Sequence, residues 1–182
     1  EKAEEARRGR ILVLRETWLP PGRYTVETAV QDAASGRLGV QRTPLEVPAA
    51  AAQLRVGSLV VVGHAAPRGE GPPESPALVA QGLQLYPSAA AAVSASAGRP
   101  LPFFLVASPA PGRDALQAAI ELRQGETAVF SAPAEFAPAV GRSTLLGGVP
   151  LEGIPPGAYE LRVTVADGVD KAVRWAKVTI AP

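Results

Sequence analysis

One six-residue motif occurs twice in this chain: Leu19-Pro20-Pro21-Gly22-Arg23-Tyr24, and 135 residues later Ile154-Pro155-Pro156-Gly157-Ala158-Tyr159. Proline fixes φ and glycine admits positive φ, so Pro-Pro-Gly turns the chain in both places. Beyond the second turn, side-chain character alternates. Tyr159, Leu161, Val163 and Val165 share one face, and Glu160, Arg162, Thr164 and Ala166 share the other. The first copy repeats the pattern from Tyr24 through Thr25-Val26-Glu27-Thr28-Ala29-Val30-Gln31 to Asp32. A period of two is that of a half-buried antiparallel strand, and a chain built around it is a β protein.

The Tyr just past each turn, two residues before an inward apolar residue, takes the tyrosine-corner position of immunoglobulin-type sandwiches. Tyr24 and Tyr159 are therefore expected to be mostly buried, with hydroxyls bonded to backbone near their turns, and Gly22 and Gly157 to be structural partners in those turns. Nineteen Pro and 18 Gly among 182 residues fit many short strands joined by turns rather than helices. The expected fold is all-β: an immunoglobulin/fibronectin III-like sandwich preceded by an incomplete, similar half-domain.

The chain reads as three segments. Residues 1–47 read as a charged lead-in and a three-stranded meander over 11–18, 23–31 and 37–47, the C-terminal part of a sandwich. Pro44 marks its last strand as an edge or a bulge. Such a half-domain needs its apolar residues (Ile11 and Val13; Tyr24, Val26 and Val30; Leu38 and Val40) covered by the second domain, by other chains, by copies of itself, or by polypeptide preceding Glu1, which reads as an internal or processed start. Residues 48–53, with Pro48 and an Ala run, read as a linker. Residues 54–182 read as a complete sandwich of about eight strands. In it, 54–62 is a strand bent at Gly57-Ser58, 63–76 a Pro/Gly loop, 82–86 a strand and 88–98 a loop. Residues 102–107, with Phe103 and Phe104, form a buried strand, and 116–130 a hairpin. Residues 133–138 are expected as loop, 142–151 as a strand broken at Gly147-Gly148, and 158–166 with 171–180 as the closing hairpin.

The chemistry is sparse. Cysteine is absent, which removes disulfides and thiol chemistry. A net charge of +1 gives no electrostatic case for nucleic acid, and no apolar run approaches the roughly 20 residues that span a bilayer. His64 is the single histidine, with no Gly-x-Ser-x-Gly elbow to accompany it. Asp167 and Asp170 flank Gly168-Val169; calcium wants six to eight oxygens, so these read as turn caps. Glu121 and Glu126 flank a hairpin turn as solvated carboxylates, and Gly147-Gly148 lacks the lysine and spacing of a phosphate loop. No cofactor and no metal is expected. Trp18 and Trp175 are the candidate ligand or interface residues, either packed at a sandwich edge or domain interface or, with Tyr86, forming a sugar-binding platform.

The repeated element resembles the C-terminal region of the von Willebrand factor A-related proteins of Acidobacteria and their relatives. The matching residues are Leu19 to Tyr24, Asp32, Ser35-Gly36-Arg37, Gly39 and Val47-Pro48, followed by Ser58-Leu59-Val60 and the strand from Leu83 to Pro87. The resemblance implies an exported, cell-envelope or extracellular β-sandwich tail. The Asp-x-Ser-x-Ser metal site of the A domain has no counterpart in these residues. The expected function is a non-enzymatic, extracytoplasmic scaffold or protein-protein interaction module. The alternatives are a carbohydrate-binding module and an accessory domain of a hydrolase or peptidase.

Overall fold

Alternating and β-branched segments fold as strands throughout the computed structural model, which describes residues 13, 15–49, 53–70, 75–88, 93–94, 100–113, 115–139 and 142–181. The chain divides between Ala52 and Gln53. Glu16–Ala52 forms one unit, and Gln53–Pro182 belongs to a second.

The first unit is a hairpin of β1 (Gly22–Gln31) and β2 (Leu38–Val47), paired antiparallel over ten residues from Gly22↔Val47 to Gln31↔Leu38. The expected strand over 11–18 is not found among the described residues: Val13 and 15–18 are not in a strand, and Ile11, Leu12 and Leu14 lie outside them. Pro44 sits opposite Thr25 in an unbroken register, so β2 is an edge strand without a bulge.

The second unit is an all-β sandwich. One sheet runs β10-β9-β13-β14-β7, with β9 (Gln117–Gln124), β10 (Thr127–Ala134), β13 (Gly157–Ala166), β14 (Lys171–Ala181) and the two-residue β7 (Val93–Ser94). It is antiparallel except for β7, which lies parallel to β14. The other runs β11-β12-β8-β4-β6-β5, with β3 (Arg55–Val56) also on β8. Its members are β4 (Val60–Pro67), β5 (Val79–Ala80), β6 (Leu83–Pro87), β8 (Leu101–Ser108), β11 (Ala137–Ala139) and β12 (Arg142–Val149).

Inward residues of the two sheets make one core: Leu101, Phe103 and Leu105 of β8, Ile120 and Leu122 of β9, Leu145 and Val149 of β12, and Leu161, Val163 and Val165 of β13. A second, smaller core lies on the opposite side of β8, where Phe104 meets Val62, Ala80 and Leu85 under the β4–β6–β5 flap. The continuous apolar run through Phe103-Phe104 is explained by this, since a strand covered on both faces has no polar side to alternate with.

Several expectations change. Residues 63–67 continue β4 instead of looping out, and pair with β6 after a register shift between Val62 and His64. Alternation failed to reveal this arm because its residues are Gly, His, Ala and Pro. The turn from β5 to β6 uses Gln81 and Gly82, both at positive φ, the requirement of a tight two-residue hairpin. Residues 133–138 are largely strand, in β10 and β11. β12 runs unbroken through Gly147-Gly148. Gly147 is there because the Phe103 ring lies across it, with Cζ only 2.6 Å from where a Cβ would stand. Of residues 88–98, Val93 and Ser94 form β7, and 89–92 and 95–98 lie outside the described residues.

Candidate interaction surfaces

Both copies of the repeat build the same local device. The Tyr24 hydroxyl donates to the Pro20 carbonyl at 2.8 Å, and the Tyr159 hydroxyl donates to the Pro155 carbonyl at 2.7 Å. Each tyrosine reaches back four residues and ties its strand to its own turn. Gly22 and Gly157 lie under these rings, with the nearest ring carbon 3.4 Å from where a Cβ would stand in each case. At the far end of both hairpins an aspartate caps the loop. The Asp32 carboxylate accepts from the Ala34 and Ser35 N–H groups, both at 2.8 Å, and the Asp167 carboxylate accepts from those of Val169 and Asp170 at 3.3 and 2.9 Å. These donors hold the Asp32 carboxyl below its ordinary value, Ser35 foremost and Ala34 next.

The burial differs. Tyr159 is 4% exposed, while Tyr24 is half-buried. Leu161 and Val165 are fully buried, whereas Val26 and Val30 at the same repeat positions are 44% and 67% exposed. Register places Tyr24 opposite Leu45, Val26 opposite Thr43, and Gly22 opposite Val47, so Leu45 and Val47 share the Tyr24 face. Leu38 and Val40 pair with Gln31 and Ala29 and therefore lie on the other face, along with the Glu27–Arg42 ion pair. Alternation by itself, which groups Leu38 and Val40 with the other apolar residues, does not separate the two faces.

In the sandwich, Asp167 has a buried side chain. Its carboxylate takes the Arg113 guanidinium at 2.7 Å and the Ala110 N–H at 3.2 Å, and Arg113 also reaches Asp170 at 3.1 Å. Burial alone would raise the Asp167 carboxyl. The N–H groups of Asp170 and Ala110 and the Arg113 cation outweigh it and hold the group at about 2. A guanidinium thus bridges the two aspartates. Among the described residues no three His, Asp or Glu side chains are grouped as metal ligands would be.

Trp18 is 83% exposed in the first unit. Trp175 is 57% exposed on the outer face of β14, opposite Arg162 and two residues from exposed Val173. The two tryptophans belong to separate units. Tyr86 stacks on His64 at 5.7 Å between ring centroids. His64 borders a cleft of about 530 Å³ whose lining includes Val62, Leu83, Pro102 and Leu146. Glu121 pairs with Arg123 at 3.2 Å.

Two roles escape a reading of the sequence. Arg113 clamps a turn more than fifty residues away, which no local pattern reveals. Arg174 occupies an inward position opposite Val163, donating to the Val56 and Gly57 carbonyls at 2.6 and 3.1 Å. Its signal is a charge on the apolar phase of a strand. No protein-family model matches the chain, and no curated protein matches it either.

Proposed function

We propose that this chain is a non-enzymatic, extracytoplasmic β-sandwich module serving as structural scaffold and protein-protein assembly unit, with residues 16–52 engaging other protein chains. The observation that carries this reading is the apolar face of the hairpin. Val26, Val30 and Leu45 are solvent-exposed at positions of the kind that the second copy of the repeat buries. A two-stranded sheet is marginal by itself in water, and covering such a face is what stabilises it.

The strand order supports an immunoglobulin-like reading of the sandwich. With β4, β8, β11 and β12 as strands A, B, D and E, and β9, β10, β13 and β14 as C, C′, F and G, the two sheets run D-E-B-A, continued past A by β6 and β5, and C′-C-F-G, continued past G by β7. Tyr159 then stands at the tyrosine corner. The extracytoplasmic setting rests on the likeness of the repeat to the tail of von Willebrand factor A-related proteins.

Photo-crosslinking tests the assembly role. A benzophenone amino acid replaces Val30, or Val169, which is 76% exposed at the loop of the sandwich copy. The reading expects protein adducts from position 30 in the producing cell and few from position 169. Equal yields, or none at position 30, contradict it. Carbohydrate binding is the second reading, favoured by the exposure of Trp175. It requires glycan-array signal that Trp175→Ala abolishes.

A further inference from the structure

The internal repeat specifies what the hairpin's open edge accepts. In the sandwich, β13 is flanked by β14 on one side and β9 on the other. The β9 strand pairs antiparallel over 160–166, with Glu121 opposite Arg162 and Arg123 opposite Glu160. At the 135-residue offset, those positions are residues 25–31 of β1. There β1 has β2 as its single neighbour among the described residues. The ladder phase agrees. Asp32 N–H bonds to the Arg37 carbonyl as Asp167 N–H bonds to that of Asp170. Antiparallel bonds alternate, so Thr25, Glu27, Ala29 and Gln31 turn their N–H and C=O groups away from β2, as Glu160, Arg162, Thr164 and Ala166 turn theirs toward β9. The far edge of β2 is poorer, because Pro44 falls on its outward phase and supplies no donor.

Resting on the assembly reading above, we propose that the β1 edge binds one extended segment of another protein as an added antiparallel strand, pairing with residues 25–31 as β9 pairs with 160–166. The side-chain chemistry of that segment is set by the template. Opposite Val26, Thr28 and Val30 it carries apolar residues, matching the places of Leu122, Ile120 and Ala118. Opposite Glu27 it carries Lys or Arg, because Glu27 stands where the sandwich has Arg162 and the preferred charge opposite is reversed.

A nine-residue peptide with the sequence of residues 116–124 is the probe, made with Glu at the position of Glu121 and again with Glu121→Lys. Amide hydrogen exchange is followed on the whole chain with and without millimolar peptide. The expected result is added protection at Thr25, Glu27 and Ala29 and none at Arg42 or Glu46. The Lys peptide should bind about two- to fivefold more tightly than the Glu peptide, and Glu27→Lys in the chain should reverse that order. Protection on the β2 edge, or no protection at any β1 amide, overturns the proposal. Protection of β1 that grows with chain concentration in the absence of peptide also overturns it, in favour of self-pairing. Crosslinks from position 30 would survive any of these results, so failure of the edge model and failure of the assembly reading are told apart.

Discussion

The two Pro-Pro-Gly-x-Tyr hairpins are built alike and surrounded differently. Each has ten cross-strand pairs, a tyrosine bonded to the carbonyl four residues back, and an aspartate capping its loop. The sandwich copy packs Leu161, Val163 and Val165 into a core, and the other leaves Val26, Thr28 and Val30 exposed. Local sequence therefore determines the turn and the cap, while stability comes from what lies against the apolar face. The same hairpin is structural in one place and a candidate for association in the other.

The two hairpins should differ most at their tyrosines. Tyr159→Ala should cost about 3–5 kcal/mol in urea unfolding, the range for truncating a large buried aromatic. Tyr24→Ala should cost about 1 kcal/mol, the worth of its hydrogen bond, because its ring is only half-buried. Equal losses would mean that the Tyr24 face is covered. Next comes a matched pair of smaller changes. Val165→Thr puts a hydroxyl into the core and should cost about 1–3 kcal/mol. Val30→Thr, at the same repeat position, should stay within about 0.5 kcal/mol. A loss above about 1 kcal/mol at Val30, read from the same unfolding curves, would count against the exposed face.

Acid should act unequally on the two loop-capping aspartates. Ionised Asp167 stabilises the sandwich because its folded value of about 2 lies below the ordinary 3.8. That contribution is complete above about pH 4 and fades as pH falls through about 2. Asp167→Asn should lower the melting temperature at neutral pH and flatten its fall between about pH 4 and 2. The exposed Asp32, also held low, acts in the same direction, and Asp32→Asn should change the profile less.

Much of this was legible in the residues. Strict alternation after Tyr159 placed β13, and the Pro-bounded run through Phe103 and Phe104 marked the central strand, because both signals are local. Three features were not. The β4 arm through Gly63 and His64 is held by its pairing with β6, and its own residues carry no strand signal. Gly147 read as a break, whereas the cause is the Phe103 ring on the neighbouring strand. The Arg113–Asp167 clamp joins residues 54 positions apart. Of the candidate surface, Tyr24, Val26 and Val30 were visible from period two. Their separation from Leu38 and Val40 needed the register, which the six-residue loop between β1 and β2 leaves open in sequence.

Amide hydrogen exchange of the whole chain at low concentration distinguishes a bare hairpin from a packed one, by comparing Val26, Thr28 and Val30 with Leu161, Val163 and Val165. These amides hold equivalent ladder positions in the two hairpins, so intrinsic geometry cancels. The sandwich set should exchange only through global opening, and the β1 set orders of magnitude faster through local opening. Protection of the β1 set equal to that of β13 in a strict monomer would contradict it.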